Sequence, residues 1–339
     1  MTTQSISYVT TTTFEALAAR INEAEKITIT THRKPDGDAM GSVVAMYRAL
    51  CSIEKDAEVL IVGPIEHGLA IIAGDTPIRL FENEGLPEEE PDLIIVVDTG
   101  AWSQLEAIEP WLREHAHKVV GLDHHANGDN VAEDRIVDVS AAAAAQVVLE
   151  LLNAMNIDLG SGDGCIAEAL FVGLATDTGW FRYSNADARC FADASKLLQH
   201  DLNRYDIYRS LEETARPARM ALLQRMLASL EIVGNVAIMS LRSPDFGETG
   251  GDSTDLVGLV NTPMVIEGVQ ASILLTDANP GVTKMSFRSK PAMPNDQSSL
   301  IDVNELAGFF GGGGHIHAAG ARVKEPLETV KARLLEQLL

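Results

Sequence analysis

Four short apolar runs, rich in β-branched residues, set the frame for this chain: KITITT (26–31), AEVLIV (57–62), DLIIVVDT (92–99) and KVVGLDHH (118–125). Most are continuous rather than alternating, which marks strands buried on both faces. Helix-like stretches such as GSVVAMYRALCS and WSQLEAIEPWLREH lie between several of them. Strands of this kind separated by helices specify an α/β fold with a doubly wound, mostly parallel sheet. After residue 140, SAAAAAQVVLELLNAM reads as a closely packed helix that Ser140 can cap.

A chain of 339 residues is too long for one ordinary core, so two domains are expected. The charged stretch DLNRYDIYRSLEETARPARM, interrupted at Pro217, places the junction. We read residues 1–201 as a first domain built on that sheet, 202–221 as a linker and 222–339 as a smaller mixed α/β domain. In that second part strands are expected near 232–241, 265–276 and 282–288. Helices are expected near 299–310 and over PLETVKARLLEQLL, with GGGGHIHAAG between them.

The chain carries 49 acidic and 26 basic residues, a formal charge of −23. That balance argues against a scaffold for long duplex nucleic acid, which must neutralise many phosphates with Lys and Arg. It leaves room for a small phosphate substrate held by local charges. No apolar run reaches the roughly 18 residues of a membrane span. The start, MTTQSISYVTTTTFEA, lacks the features of a secretory leader, so a cytoplasmic protein is expected. Cys51, Cys165 and Cys190 are far apart with no CxxC pair, which suits a reducing compartment.

In an open parallel sheet, ligands bind beyond the carboxyl ends of the strands. The first strand ends in His32, Asp36 and Asp38; the third ends in Asp98; the fourth ends in Asp123, His124 and His125. The apolar helix CIAEALFVGLATDTGWFRYSN runs into Asp177. Asp36, Asp38, Asp98 and Asp177 together would repel one another, and two divalent cations would cancel their charge. Mixed imidazole and carboxylate donors suit Mn²⁺ better than Mg²⁺. Two such ions roughly 4 Å apart can clamp the attacking and leaving oxygens of an in-line displacement. GDAMGS adds a helix expected to start near Gly41–Ser42, whose free amides would favour an anion.

Taken in order, HRKPDGDAMGS, VVDTG, GLDHH and ATDTGWFRYSN resemble the four motifs of the DHH phosphoesterases. SFRS and FFGGGGHIHAAG are similar to the DHHA1 domain that accompanies them, and length and layout most resemble the nanoRNase (oligoribonuclease) and 3′-phosphoadenosine-5′-phosphate (pAp) phosphatase branch. The resemblance implies one Mn²⁺ on His32, Asp36 and Asp98 and a second on Asp38, Asp98, His124 and Asp177, with Mg²⁺ or Co²⁺ as substitutes. It implies hydroxide attack on phosphorus, Asp123 orienting its neighbours, and His125 facing the substrate phosphate. Arg288, Ser289, Gly312, Gly313, Gly314 and His315 would hold the phosphate end of a nucleotide in a cleft between the domains. His317 receives no role. The implied substrates are nanoRNA, pApA, pAp and cyclic di-AMP, and the implied assembly is a homodimer.

Blander readings stand beside these. Asp123 could cap a turn, GGGG could be a flexible connection, and Arg182 could form an ion pair as readily as touch substrate or an interface. His67, His115, His117 and His200 read as surface residues. A non-catalytic sensor of cyclic dinucleotides is the rival from another class, and a RecJ-like single-strand exonuclease is the rival within the superfamily.

Overall fold

The structure, a computed structural model, describes residues 8–279, 281–293 and 296–338. The first seven residues, on which the expectation of a leaderless start partly rests, lie outside that range. The chain separates into two compact units that meet between Thr214 and Ala215.

The first unit carries β1 (Lys26–Thr30), β2 (Asp56–Ile61), β3 (Ile78–Leu80), β4 (Leu93–Val97), β5 (Val119–Asp123) and β6 (Asp134–Val137). They form one sheet in the order β3-β2-β1-β4-β5-β6, and every neighbouring pair is parallel. All five residues of β4 are buried, as its unbroken LIIVV run requires. β3 and β6 were not expected: IRL and DRIV are short, and their charged residues hide the pattern.

The helices of this unit are α1 (Phe14–Glu23), α2 (Gly37–Ser52), α3 (His67–Ala73), α4 (Phe81–Glu84), α5 (Glu109–Glu114), α6 (Ala144–Ala154), α7 (Ile166–Asp177), α8 (Ala188–Leu197) and α9 (Arg204–Glu212). The stretch 202–221 holds α9 and the start of α10 (Pro217–Ala228). Two helix starts differ from the sequence reading. α2 begins at Gly37 rather than near Gly41, because the Asp36 side chain caps it by accepting from the amides of Asp38 and Ala39. α6 begins at Ala144, and Ser140 does not cap it; the amides of Ala144 and Ala145 donate instead to the Asp38 carboxylate.

Helices α2 and α7 pack closely because glycines face each other. A Cβ on Gly41 would strike the Ala169 carbonyl, and one on Gly173 would lie 2.7 Å from Ala145 Cβ and 2.8 Å from Asp38 Oδ1. This contact brings the start of α2 and the body of α7 together around Asp38.

The second unit holds β7 (Glu231–Val233), β8 (Val236–Leu241), β9 (Ala271–Asn279), β10 (Val282–Ser289), β11 (Gly313–His315) and β12 (Ala318–Val323), in the order β11-β12-β10-β9-β8-β7. β8 and β9 run parallel and the other pairs antiparallel, so the sheet is mixed. Leu259–Val265 is a 3₁₀ stretch, and the strand expected from 265 starts at Ala271. The unit also contains α11 (Ser243–Thr249), α12 (Val303–Gly308) and α13 (Leu327–Leu338). α12 and α13 bury Leu306, Val330 and Leu334 against Ile273, Met285 and Phe287, while α10 buries Leu222 and Met226 against Met239 and Leu274. Among the described residues no helix is long and apolar enough to cross a membrane.

Candidate active site

Strand order reverses between β1 and β4, which is where a doubly wound sheet opens a crevice at its carboxyl edge. β1 delivers His32 there, and the turn into α2 adds Asp36 and Asp38. β4 leads directly into Asp98, whose amide still donates to Leu122 O at 2.9 Å. β5 ends in Asp123 and leads into His124 and His125, and α7 ends in Asp177.

These groups converge. His32 Nε2 lies 3.8 Å from Asp36 Oδ1 and 3.5 Å from Asp98 Oδ2. His124 Nε2 lies 3.7 Å from Asp38 Oδ2, 3.5 Å from Asp98 Oδ1 and 3.9 Å from Asp177 Oδ2. Donor atoms roughly 2.1 Å from a shared cation stand about 3 to 3.5 Å apart, so this spacing is slightly relaxed from a ligated one. His32, Asp36 and Asp98 form one group able to hold an ion, and Asp38, His124 and Asp177 form another.

Each donor is steadied from behind. His32 Nδ1 bonds the Arg33 carbonyl at 3.1 Å and His124 Nδ1 the Ala141 carbonyl at 3.3 Å, which turns both Nε2 atoms toward the acids. That is the usual arrangement behind a metal-ligating imidazole. Asp38 is only 2% exposed, yet its two oxygens accept from Ala144 N at 2.6 Å and Ala145 N at 2.9 Å. A helix N-terminus favours such a carboxylate. Asn185 donates to the Ala142 carbonyl at 3.0 Å and the Asp177 carbonyl at 3.3 Å, tying the end of α7 in place.

Asp98 is the exception that points to a cation. It is 2% exposed, its Oδ1 has no hydrogen-bond partner, and its backbone takes a left-handed φ of 59°. A buried carboxylate oxygen without a donor is costly, and so is that backbone in a residue other than glycine. A divalent ion between Asp98 and the two imidazoles would satisfy the oxygen and give the strain a purpose.

The electrostatics agree. Burial and the Asp98 charge push the Asp38 carboxyl well above its ordinary range, with His124 pulling the other way. Burial, with Asp98 and Asp36 added, raises Asp177 to about 6 against the pull of His124. Burial works against a charged His32, but Asp36 and Asp98 lift it to about 10; Asp98 and Asp38 do the same for His124. Burial opposes ionisation of Asp36, yet His32 and the amides of Ala39 and Asp38 hold it below the usual carboxylate range. Without a cation, then, protons do the neutralising that the cluster needs.

Asp123 sits behind these donors. Its Oδ1 accepts from His124 N at 2.8 Å, His125 N at 3.2 Å and His125 Nδ1 at 2.8 Å, so it both caps the turn and orients the second ring. His125 is thereby tied through Nδ1, and its exposed ring keeps Nε2 for another partner. Arg182 is exposed and donates through Nε to the Gly179 carbonyl at 2.7 Å; among the described residues it makes no ion pair. It braces a turn in which Gly179, Trp180 and Phe181 are all left-handed.

The remaining expected residues lie in the second unit. Arg288 and Ser289 close β10, and Gly313, Gly314 and His315 form β11 at the sheet edge, with Gly312 just before it. Ser289 Oγ bonds the Ile316 carbonyl and His317 Nδ1, each at 3.1 Å, which joins the two segments and gives His317 a structural contact. Tyr8 and Asn185 were not singled out from sequence. Asn185 stands within a recognised motif, whereas nothing local marks Tyr8.

Residues 26–174 match the model of the DHH family, N-terminal domain, and residues 234–339 match the DHHA1 domain. A bifunctional oligoribonuclease and PAP phosphatase NrnA from Thermus thermophilus is 29% identical, over 91% of this chain and 88% of that protein. The cyclic-di-AMP phosphodiesterase GdpP of Geobacillus thermodenitrificans is 26% identical, over 91% of this chain but 46% of its own length. Among solved structures, an exopolyphosphatase-related protein from Bacteroides fragilis superposes with a TM-score of 0.81 at 26% identity, covering 96% of this chain and 94% of that one.

Proposed function

The chain belongs to the DHH phosphoesterase family, with a DHHA1 domain in its second unit, and from that premise we propose that it hydrolyses the phosphoester bonds of very small nucleotides. The substrates are short oligoribonucleotides and dinucleotides such as pApA, together with pAp. Cyclic di-AMP joins the panel because of the likeness to a phosphodiesterase of that nucleotide. The observation that carries this reading is Asp98: a buried carboxylate with one oxygen lacking a donor, facing His32 through Oδ2 and His124 through Oδ1.

In this reading His32, Asp36 and Asp98 hold one divalent ion, and Asp38, Asp98, His124 and Asp177 hold the other, with Mn²⁺ the preferred metal. Such ions, when bound, supply Lewis acidity and lower the pKa of a coordinated water. Asp98 would serve both, since its Oδ2 faces His32 and its Oδ1 faces His124. The α6 amides offset part of the cost of burying an ionised Asp38, and a bound cation would offset more of it. The Asp123 hydrogen bond, against some burial, raises the His125 pKa, so an imidazolium there can donate through Nε2 to charge developing on a phosphoryl oxygen. Arg288, Ser289, the Gly312–Gly314 loop and His315 grip the phosphate end of the nucleotide.

A cytoplasmic setting, consistent with three free cysteines, and a homodimer belong to the same reading. Light scattering tests the second.

The direct test incubates purified protein with Mn²⁺, or with chelator, against pAp, pApA, a five-nucleotide RNA, cyclic di-AMP and a long single strand. Mn²⁺-dependent release of AMP or phosphate, lost in Asp98→Asn and slow on the long strand, is the expected result. Processive digestion of the long strand at the dinucleotide rate points to a RecJ-like exonuclease instead. Tight nucleotide binding without turnover points to a sensor.

A further inference from the structure

Tyr8 belongs to no motif, yet its hydroxyl donates to Asp123 Oδ2 at 2.6 Å. The other Asp123 oxygen is already taken by His125 Nδ1 and the amides of His124 and His125. The phenol therefore closes the remaining side of the carboxylate that steers the His124–His125 turn. Asp123 is 1% exposed, so without Tyr8 its Oδ2 would be a buried charged acceptor lacking any donor among the described residues.

The ring has a built seat. A Cβ on Gly100 would collide with the Tyr8 hydroxyl, and one on Gly128 would lie 2.6 Å from its Cζ. Gly100 follows β4 in the loop that starts with Asp98, and Gly128 follows β5 in the loop that starts with His124. Asp129 N donates to the Gly100 carbonyl at 2.7 Å, joining the two loops directly beside the ring. The Arg135 guanidinium lies 5.4 Å from the ring centroid. Tyr8 is thus wedged between the loop that carries Asp98 and the loop that carries His124 and His125.

The segment bearing Tyr8 is fastened independently of it. Thr11 N donates to the Arg135 carbonyl and Arg135 N to Thr11 Oγ1, both at 2.9 Å, and Val137 N donates to Thr10 Oγ1 at 2.9 Å. These bonds lay residues 10 and 11 along β6, so the phenol is not needed to hold the strap down. Burial and the Asp123 charge push the phenol pKa upward, which keeps it a donor at any working pH.

We propose that Tyr8 is a positioning residue: its hydroxyl fixes the Asp123 carboxylate and, through it, the His124–His125 turn that faces cation and phosphate. This rests on the cation-dependent phosphoesterase reading given above. Tyr8 acts through Asp123 and touches no reacting atom itself.

Tyr8→Phe keeps the ring between the two glycines and removes only the donor. Four quantities are compared with the parent: Mn²⁺ affinity by paramagnetic resonance of the free ion, kcat and KM on pAp, and the melting temperature. A positioning partner lost behind a metal site typically costs 10- to 100-fold in affinity or activity, so about a tenfold loss in Mn²⁺ affinity and in kcat is expected. KM should move less than about threefold, since the phosphate grip is untouched. The melting temperature should fall by no more than about 4 °C. In an Asp123→Asn background the same change should have less than about a twofold effect, because the partner is already altered.

Parent-like Mn²⁺ binding and turnover in Tyr8→Phe would overturn the proposal. An equal loss in both backgrounds would also overturn it, since the hydroxyl would then act elsewhere. If even the parent leaves pAp intact, the substrate reading fails alone, and the Mn²⁺ titrations in the two backgrounds still decide the role of Tyr8.

Discussion

The acid cluster of the first unit and the glycine–histidine loop of the second are spelled by equally plain motifs, yet the fold treats them differently. In the cluster nearly every group is held from behind. Asp38 is capped by two α6 amides, His32 and His124 by carbonyls, and Asp123 by three donors from its own turn and one from Tyr8. Gly313, Gly314 and His315 instead lie exposed on a three-residue edge strand. The His315 ring has no hydrogen-bond partner among the described residues, and Arg288 reaches only the Phe287 carbonyl. Groups that carry chemistry need fixed geometry, whereas groups that grip a small ligand can be set by it on arrival.

Substitutions can break that contrast, and the largest effect should come from Asp98. Asp98→Asn removes the charge that faces both His32 and His124, and turnover should fall roughly a thousandfold or more. A rise in melting temperature on adding Mn²⁺ should vanish with it, because the rise depends on binding to the folded state. Retention of more than a tenth of the activity would show that Asp98 is not the shared ligand.

A pH series sharpens the same point. Against the cost of burial, the acids lift His32 and His124 to about 10, so near neutral pH each ring carries a proton that a cation must expel. Mn²⁺ affinity should therefore rise with pH, by up to about tenfold per unit for each proton released. Calorimetry in two buffers of different ionisation enthalpy counts those protons. Affinity that stays flat between pH 6 and 8 would contradict the prediction.

Gly173→Ala tests how far the cluster depends on close packing. The added Cβ would press on Ala145 and Asp38 Oδ1, at 2.7 and 2.8 Å. Overpacking of this kind costs about 1–3 kcal/mol, read by denaturant unfolding, and activity should drop with it as Asp38 shifts. An unchanged unfolding midpoint would mean that α2 and α7 separate freely.

The smallest effects belong to the second unit. Arg288→Ala and His315→Ala should each raise KM about tenfold while kcat changes less than about threefold, as expected when uniform binding is removed. Loss falling mainly on kcat would move these residues from grip to chemistry and erase the contrast.

What could be read in the sequence divides along a related line. The four apolar runs became β1, β2, β4 and β5, and most of the candidate donors lie at or just past the ends of β1, β4 and β5, because a buried strand and the residues just past it are local in sequence. β3 and β6 were missed because three or four residues with charged members give no pattern. Ser140 looked like the cap of α6 since it stood nearest, but the cap is Asp38, more than a hundred residues away. Tyr8 was invisible for the same reason: its partner is 115 positions distant, and nothing in SYVT announces a ligand for a carboxylate. The types and spacing of the donors were local information; what holds them was not.

An anomalous difference map from a crystal grown with Mn²⁺ would address the cluster most directly. The prediction is two peaks flanking Asp98, one against His32 and Asp36, the other against Asp38, His124 and Asp177. A map with no peak touching Asp98, or with the metal held only elsewhere, would contradict it.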